Sequence, residues 1–338
     1  MKIYNSHEHI LNLTQNCTPK LRFNEGEDLG EWQKKARAKL SELLRLPEEK
    51  CEDLFEITSE NDCGDYISID FEYQSEENYF VPCTMLVPKN VKKPMTTAIC
   101  LQGHSTGKHI SLGIPKFEND ANSIAGGRDF AVRAVKEGYC AIVMDQRYMG
   151  TAGQNENGAP ACCSFNFALS ALLVGKTAIG GRVWDISRLI DVCEKYLTEY
   201  VDMSKIICMG NSGGGTATFY ASCIDERIHL SMPSCAVCTY EDSIMAMNHC
   251  CCNFIPDIRT YFDMGDLGGL IAPRKFVLVC GKDDPIFPLD GVKASYEIIK
   301  GFYKNFGDEN KCNMVIGDGG HQFYPDDAWP VVHKLMGD

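Results

Sequence analysis

The sequence predicts an α/β protein with a mostly parallel β-sheet that is covered by helices on both faces. Six short apolar runs follow one another from residue 96 onward, at 96–102, 140–145, 205–210, 229–234, 275–281 and 312–318. Amphipathic segments such as DFAVRAVKEG and GVKASYEIIKGFYKNFG separate several of these runs. Short apolar runs that alternate with helical segments are typical of strands buried on both faces of a parallel sheet.

A helix and a β-hairpin are predicted before these six runs. Four apolar residues recur at helical spacing within 28–45, and Pro47 follows the expected end: Trp32, Ala36, Leu40 and Leu43. Residues 65–88 alternate in polarity around a turn-forming SEEN segment, which predicts an antiparallel hairpin. The hairpin and the six runs give eight strands. We therefore expect a helical N-terminal extension over 1–64, packed on an α/β domain over 65–338.

The segment 239–273 is longer and less regular than the other connections between predicted strands. It lies between the sixth and seventh strands. We interpret it as a cap-like insertion over one end of the sheet.

Composition and charge exclude several classes of function. The 338 residues include 33 Lys and Arg against 46 Asp and Glu, a formal net charge of −13. This acidic balance argues against nucleic acid or an anionic membrane as the main partner. No apolar run reaches the about 20 residues that span a bilayer. The first residues lack the pattern of a secretion signal, so we expect a cytoplasmic protein.

The 18 cysteines raise the question of disulfides and metal. A chain of this length in a cytoplasm needs no disulfides to fold. Cys235-x-x-Cys238 and the run His249-Cys250-Cys251-Cys252 resemble zinc ligands, but structural zinc commonly uses two well-separated ligand pairs. Three adjacent cysteines do not easily point at one ion. We interpret the cysteines as buried thiols and assign no metal ligands and no cofactor.

A candidate nucleophile lies in Gly210-Asn211-Ser212-Gly213-Gly214, which fits the pattern G-x-S-x-G. The motif directly follows an apolar run and precedes a helix-compatible stretch. In that setting a sharp turn places the serine Oγ above the edge of the sheet. The alternative is a glycine-rich loop without catalysis.

Candidates for the base and the acid follow Ser212 in the chain. A serine nucleophile needs a histidine base that is oriented by a carboxylate, and doubly wound hydrolases carry them in the order serine, acid, histidine. His321 is the one downstream histidine on a glycine-rich loop after the last predicted strand. Asp283 and Asp284 both follow the 275–281 run. We favour Asp284 because it begins a turn fixed by Pro285.

Two backbone amides are expected to bind the oxyanion of the tetrahedral intermediate. One belongs to Gly213, directly after the nucleophile. The other is assigned to His104, in the loop that follows the first parallel strand. The His104 side chain is expected to line the pocket.

Five motifs together resemble a known superfamily. QGH, DQRYMG, GNSGGGTATF, GKDDPIFP and GGHQF occur in this order. They are similar to the α/β-hydrolase superfamily and, more narrowly, to its acetyl xylan esterase-related, dienelactone-hydrolase-like branch. The resemblance runs from about residue 30 to the end. It implies an eight-stranded sheet, a triad of Ser212, Asp284 and His321, and hydrolysis of carboxylic esters through an acyl-enzyme.

We therefore expect a serine ester hydrolase whose substrates are acetylated sugars or oligosaccharides. In the insertion, Met245, Met247, His249 and Phe254 are candidates to line the substrate pocket. A peptidase or an acyltransferase on the same fold stays open. A metal-dependent amidohydrolase that uses His7 and His9 is the alternative from a different class. The sequence also leaves the oligomeric state open, a homo-oligomer included.

Overall fold

The structure is a computed structural model that describes residues 2–24, 26–153, 161–162 and 165–337, with the backbone alone for 161–162 and 165–167. The strands are β1 Phe55–Asp62, β2 Tyr66–Glu76, β3 Tyr79–Pro88, β4 Met95–Leu101, β5 Cys140–Met144, β6 Met149–Gly150, β7 Ala161–Cys162, β8 Val201–Asn211, β9 Ile228–Ser234, β10 Lys275–Gly281 and β11 Cys312–Gly317. The α-helices are α1 Ser6–Gln15, α2 Leu29–Leu44, α3 Asp120–Ser123, α4 Phe130–Lys136, α5 Phe165–Leu173, α6 Ala178–Tyr196, α7 Gly213–Ile224, α8 Ile258–Tyr261, α9 Met264–Gly268, α10 Leu289–Phe306 and α11 Pro325–Met336.

One large sheet organises the molecule. Its strand order is β1-β2-β3-β5-β4-β8-β9-β10-β11, and the six strands from β5 to β11 in this order are parallel. These six are the apolar runs that the sequence predicts to be strands. The predicted hairpin is also present as the antiparallel pair β2 and β3. Strands β6 and β7 form a separate two-stranded pair.

Side chains alternate between two apolar cores, one on each face of the sheet. Along β8, Ile206 and Cys208 point into one core, whereas Ile207 and Met209 point into the other. The first core also holds residues of α2, α6, α7 and α10, and the second holds residues of α4 and α11. Because both faces are covered, the parallel strands are largely apolar in sequence where they are buried.

Among the described residues the large sheet has nine strands, one more than the sequence predicts. The additional strand, β1, pairs antiparallel with β2 at the edge of the sheet. Most of its residues are exposed, so its sequence FEITSEND carries little apolar signal. The segment before residue 65 therefore contains a strand besides its helices, and α2 within it contributes Trp32, Ala36 and Leu40 to the first core.

The predicted insertion connects β9 to β10 and is largely irregular. Between residues 239 and 273 it contains a 3₁₀ turn at Cys251–Asn253 and the short helices α8 and α9. Among the described residues, no helix combines the length and the apolar composition that a membrane crossing requires.

Candidate active site

Ser212 lies in a strained turn between β8 and α7. Its φ of 55° and ψ of −122° fall outside the ordinary regions for a residue with a side chain. The turn is fixed on both sides, because Ser212 N donates to Ser234 O at 2.9 Å and Thr216 N donates to Ser212 O at 2.8 Å. The Ser212 side chain is half-buried at the carboxyl edge of the parallel strands.

Both glycines of the G-x-S-x-G motif are required by close backbone approach. A Cβ on Gly214 would lie 2.1 Å from the carbonyl oxygen of Leu101, and a Cβ on Gly210 would lie 2.6 Å from the same atom. Neither contact is possible without moving the backbone of β4 or of the turn. The motif therefore allows β8 and α7 to pack directly against the end of β4.

Asp284 and His321 form a hydrogen-bonded pair at the same edge of the sheet. Asp284 follows β10, His321 follows β11, and His321 Nδ1 is 2.8 Å from Asp284 Oδ2. The second oxygen, Oδ1, accepts hydrogen bonds from Ile286 N at 2.8 Å and Phe287 N at 3.1 Å. The structure thus brings Asp284 to His321, whereas the neighbouring Asp283 is exposed.

The environment of Asp284 favours its charged form. Burial raises the pKa of this carboxyl, but the hydrogen bond and charge of His321 and the two backbone amides outweigh burial, so the pKa is lowered. The side chain is fully buried, and the ring of Phe287 stacks on the His321 ring at 5.9 Å between centroids. His321 is thereby held between a carboxylate and an aromatic face.

The residues at the end of β9 lie between Ser212 and the Asp284–His321 pair. Ser234, whose carbonyl binds Ser212 N, is followed by Cys235 at the end of β9. The Cys235 sulfur, an Asp284 oxygen and a His321 nitrogen all lie within 4.8 Å of one another. Burial and the Asp284 charge raise the pKa of the Cys235 thiol to about 12.

The loop after β4 contacts the turn that contains Ser212. A Cβ on Gly103 would lie 3.1 Å from Ser212 Cβ and 2.7 Å from Asn211 O. The His104 ring packs on Gly213, because a Cβ on Gly213 would lie 3.1 Å from His104 Cε1. The two residues that the sequence assigns to the oxyanion hole, Gly213 and His104, are therefore in contact beside Ser212.

Two residues that the sequence analysis does not assign hold this loop in place. Arg128 donates to Gln102 Oε1 from Nε at 3.1 Å and from Nη2 at 2.9 Å, and Nη2 is also 3.4 Å from His104 O. Gln146 Nε2 donates to Gln102 O at 2.5 Å. Arg128 and Gln146 lie 26 and 44 residues after Gln102 in the chain, so these contacts cannot be predicted from a local sequence motif.

The four predicted pocket residues divide between two places. His249 lies near His321: its ring meets Phe287 edge to face at 5.3 Å between centroids, and Phe287 in turn stacks on His321. Burial lowers the pKa of His249, which favours a neutral ring. His249 Nε2 is 3.1 Å from Ser243 Oγ.

Met245, Met247 and Phe254 line a different cavity of about 720 Å³. Residues His7 and Ile10 of α1 form part of its wall, and the described residues that line it include none of Ser212, Asp284 and His321. That these three side chains line the substrate pocket therefore stays a prediction. Periodicity and composition do not report which side of an irregular segment faces a site.

The alternative metal site at the N-terminus is not assembled among the described residues. His7 and His9 are exposed on α1. Two clusters of three possible ligands occur within the described chain: His104 with Cys250 and Cys252, and Cys235 with Asp284 and His321. Neither includes His7 or His9.

Comparison with known proteins agrees with this architecture. A model of the Abhydrolase family matches residues 4–309. The chain belongs to this family. It is an α/β hydrolase in fold and in family, and the match to the Abhydrolase family ends before His321.

Individual relatives are distant. A Bacillus subtilis (strain 168) protein, YtaP, described as a hydrolase, is 24% identical over 153 residues, 44% of this chain and 50% of its own length. The chain thus spans about half the length of this curated relative. A Bacteroides fragilis structure described as an acetyl xylan esterase has a TM-score of 0.75 at 16% identity, covering 94% of this chain and 83% of that chain. A glucuronoyl esterase from Solibacter usitatus has a TM-score of 0.70 at 15% identity, covering 94% and 96%. At these identities the two structures show a shared fold.

Proposed function

We propose that the protein is a serine carboxylic-ester hydrolase with Ser212, His321 and Asp284 as its triad. The observation that carries the proposal is the hydrogen-bonded Asp284–His321 pair, at the same edge of the sheet as the strained turn of Ser212. Neutral serine is a weak nucleophile and needs a base of this kind. The order of the three residues along the chain is the order found in doubly wound hydrolases.

The proposed reaction proceeds through an acyl-enzyme. His321 takes the proton of Ser212 Oγ as this oxygen attacks the ester carbonyl, and the amides of Gly213 and His104 bind the resulting oxyanion. His321 then gives the proton to the departing alcohol. Water attacks the acyl-enzyme with His321 again as base, which releases the carboxylic acid. Asp284 holds the imidazole in one orientation and stabilises its charged form throughout.

For the substrate we propose small acyl esters, with acetyl groups on sugars or oligosaccharides as the specific case. Support comes from the motifs that resemble the acetyl xylan esterase-related branch. Structures with esterase names also share the fold, although that likeness does not carry their substrates to this chain. The triad itself does not select the leaving group, so the substrate class must be measured directly.

The experiment is turnover of p-nitrophenyl acetate, an acetylated xylo-oligosaccharide and an aminoacyl amide by the purified chain. We expect turnover of both esters and little turnover of the amide. Ser212→Ala and His321→Gln should each lower kcat by about 10³-fold or more. His333→Gln is the matched control. His333 lies on α11, where its Nε2 is 2.8 Å from Glu137 Oε2, and its substitution should leave kcat close to wild type. Substantial ester turnover by Ser212→Ala would overturn the proposal. Faster turnover of the amide than of the esters would show that the protein is a peptidase and not an esterase.

A further inference from the structure

Three possible metal ligands converge at the edge of the proposed oxyanion hole. A ring nitrogen of His104 and the sulfur atoms of Cys250 and Cys252 all lie within 4.8 Å of one another. Cys252 Sγ is 3.6 Å from His104 Nε2. Cys252 is buried, whereas His104 and Cys250 are partly exposed, so the cluster can be reached from solvent.

The local backbone explains why two of three adjacent cysteines converge. Cys250 is extended, with φ −59° and ψ 134°, and the next three residues form a 3₁₀ turn. Cys251 is not a member of the cluster, although it shares a small apolar group with Cys252. The three consecutive cysteines therefore do not all point at one place, which is what their spacing predicts. The first and the third, Cys250 and Cys252, do converge.

The segment is anchored to the helix that follows the nucleophile. Thr216 Oγ1 of α7 donates to Asn253 Oδ1 at 3.1 Å, and Asn253 N donates to Cys250 O at 3.0 Å. Thr216 N in turn binds the carbonyl of Ser212. Because these bonds fix the segment, little ordering of the backbone is needed for the two sulfur atoms to act together.

The distance between Cys252 and His104 suits a tetrahedral cation of the zinc type. With metal–sulfur and metal–nitrogen bonds of about 2.3 Å and about 2.05 Å, tetrahedral geometry separates sulfur from nitrogen by about 3.6 Å and two sulfurs by about 3.8 Å. The observed Cys252–His104 separation is 3.6 Å. Thiolate and imidazole are the ligands that Zn²⁺ selects.

We propose that His104, Cys250 and Cys252 form a binding site for Zn²⁺, with water in the fourth position. Binding converts the two thiols to thiolates and releases their two protons to solvent, and the two negative charges balance the ion. The site goes beyond the proposed esterase chemistry, which uses none of the three side chains as acid, base or nucleophile.

Occupation of this site should inhibit the proposed ester hydrolysis. The ring of His104 already contacts Gly213, whose amide is one proposed oxyanion donor. A metal on Nε2 would lock the ring there and place the ion and its water at the entrance to the oxyanion hole. We therefore expect reversible inhibition by Zn²⁺ that a chelator removes.

The test is equilibrium dialysis of the full chain, freed of metal and kept reduced, against Zn²⁺. We expect the wild type to bind one ion at this site, and Cys250→Ser or Cys252→Ser to weaken binding by more than about 100-fold, beyond the loss typical of a supporting residue. Cys251→Ser is the matched control, since it removes the neighbouring thiol that lies outside the cluster, and it should bind as the wild type does. Co²⁺ in place of Zn²⁺ should give thiolate-to-metal charge-transfer absorption that the two ligand variants lose.

Binding is measured apart from turnover, so failure of the esterase proposal does not decide this one. Absence of Zn²⁺ binding by the wild type would overturn it, and so would equal loss of binding in Cys251→Ser. If Cys252→Ser does not fold, the more exposed Cys250→Ser decides the matter alone. Where ester turnover is present, Zn²⁺ should suppress it in the wild type and not in Cys250→Ser. Suppression in both would show that the inhibition arises elsewhere.

Discussion

The carboxylate of Asp284 is fully buried, and yet its pKa is lowered rather than raised. Burial alone would favour the neutral acid, which could not stabilise a protonated His321. The imidazole on one oxygen and two backbone amides on the other reverse that preference. The turn that Asp284 begins supplies those amides from Ile286 and Phe287, so the local backbone conformation lowers the pKa of Asp284.

Asp284→Asn tests the assignment of Asp284 as the acid of the triad. It should lower kcat by about 10³- to 10⁴-fold, because the amide cannot hold the imidazole in the required tautomer. The matched control, Asp283→Asn, alters the exposed neighbouring carboxylate and should leave kcat close to wild type. Equal losses in the two variants would contradict the assignment of the acid.

The same substitution has a predicted pH dependence. A carboxyl whose pKa is lowered on folding stabilises the native state at pH values above its ordinary pKa of 3.8. This contribution is lost as the pH falls through the lower pKa of the folded state. The free energy of unfolding of the wild type, measured by urea titration, should therefore fall toward that of Asp284→Asn as the pH is lowered below about 4. A difference that stays constant from pH 7 to 3 would contradict the prediction.

Residues in a local motif are the ones that sequence reasoning could place. Ser212 sits in a five-residue pattern, and His321 and Asp284 follow identifiable strands. Asp284 was distinguished from Asp283 by the proline after it. Gln102, Arg128 and Gln146 could not be found in this way, because their hydrogen bonds join distant parts of the chain.

At the scale of elements, the turn between β8 and α7 depends on how closely β4 approaches. Near the turn, β8 has Gly210 and α7 has Gly214 at the positions that approach the carbonyl of Leu101. An added methyl group has no space there, so the turn must move if one is introduced. The position of Ser212 Oγ is thereby coupled to the packing of three elements.

Gly214→Ala should both destabilise the protein and displace the nucleophile. We expect the free energy of unfolding to fall by about 1–3 kcal/mol, as for an overpacked buried site, with a loss of ester turnover. Gly301→Ala is the matched control: it lies within α10, and a Cβ there meets nothing within 4 Å. That variant should instead gain about 0.5–1 kcal/mol from helix propensity. Urea unfolding and p-nitrophenyl acetate turnover of both variants check the prediction, and a destabilised Gly301→Ala would undermine the comparison.

The elements themselves were predictable where burial is two-sided. The central strands are largely apolar where they are buried, because they lie between two layers of helices, and this produces a clear signal in sequence. The edge strand β1 has few buried side chains, so hydrogen bonding to β2 rather than composition defines it. Which way Met245, Met247 and Phe254 face was likewise not encoded in a repeating pattern.

For the molecule as a whole, the first 64 residues share a core with the sheet. Trp32 stacks on Phe302 of α10 at 5.0 Å, and its Nε1 donates to Leu21 O at 2.9 Å. Leu40 is fully buried in the same core as strands β4 and β8. We propose on this basis that residues 1–64 are an extension packed on the 65–338 catalytic domain rather than an independent folding unit.

Leu40→Ala should therefore destabilise the entire chain. The expected loss is about 2–5 kcal/mol in the free energy of unfolding, the range for a leucine that leaves a cavity in a packed core. Urea transitions followed by circular dichroism and by tryptophan fluorescence should coincide in the wild type and in the variant. Two separated transitions, with only the first sensitive to Leu40→Ala, would contradict the proposal.

The most direct test of the central claim is labelling of the folded chain with a fluorophosphonate, followed by peptide mapping. We predict covalent labelling at Ser212 alone, lost in Ser212→Ala and in heat-denatured protein, and retained in Ser204→Ala, which removes an exposed serine of β8. Folded protein that takes up no label, or takes it up at a residue other than Ser212, would contradict the assignment of the nucleophile.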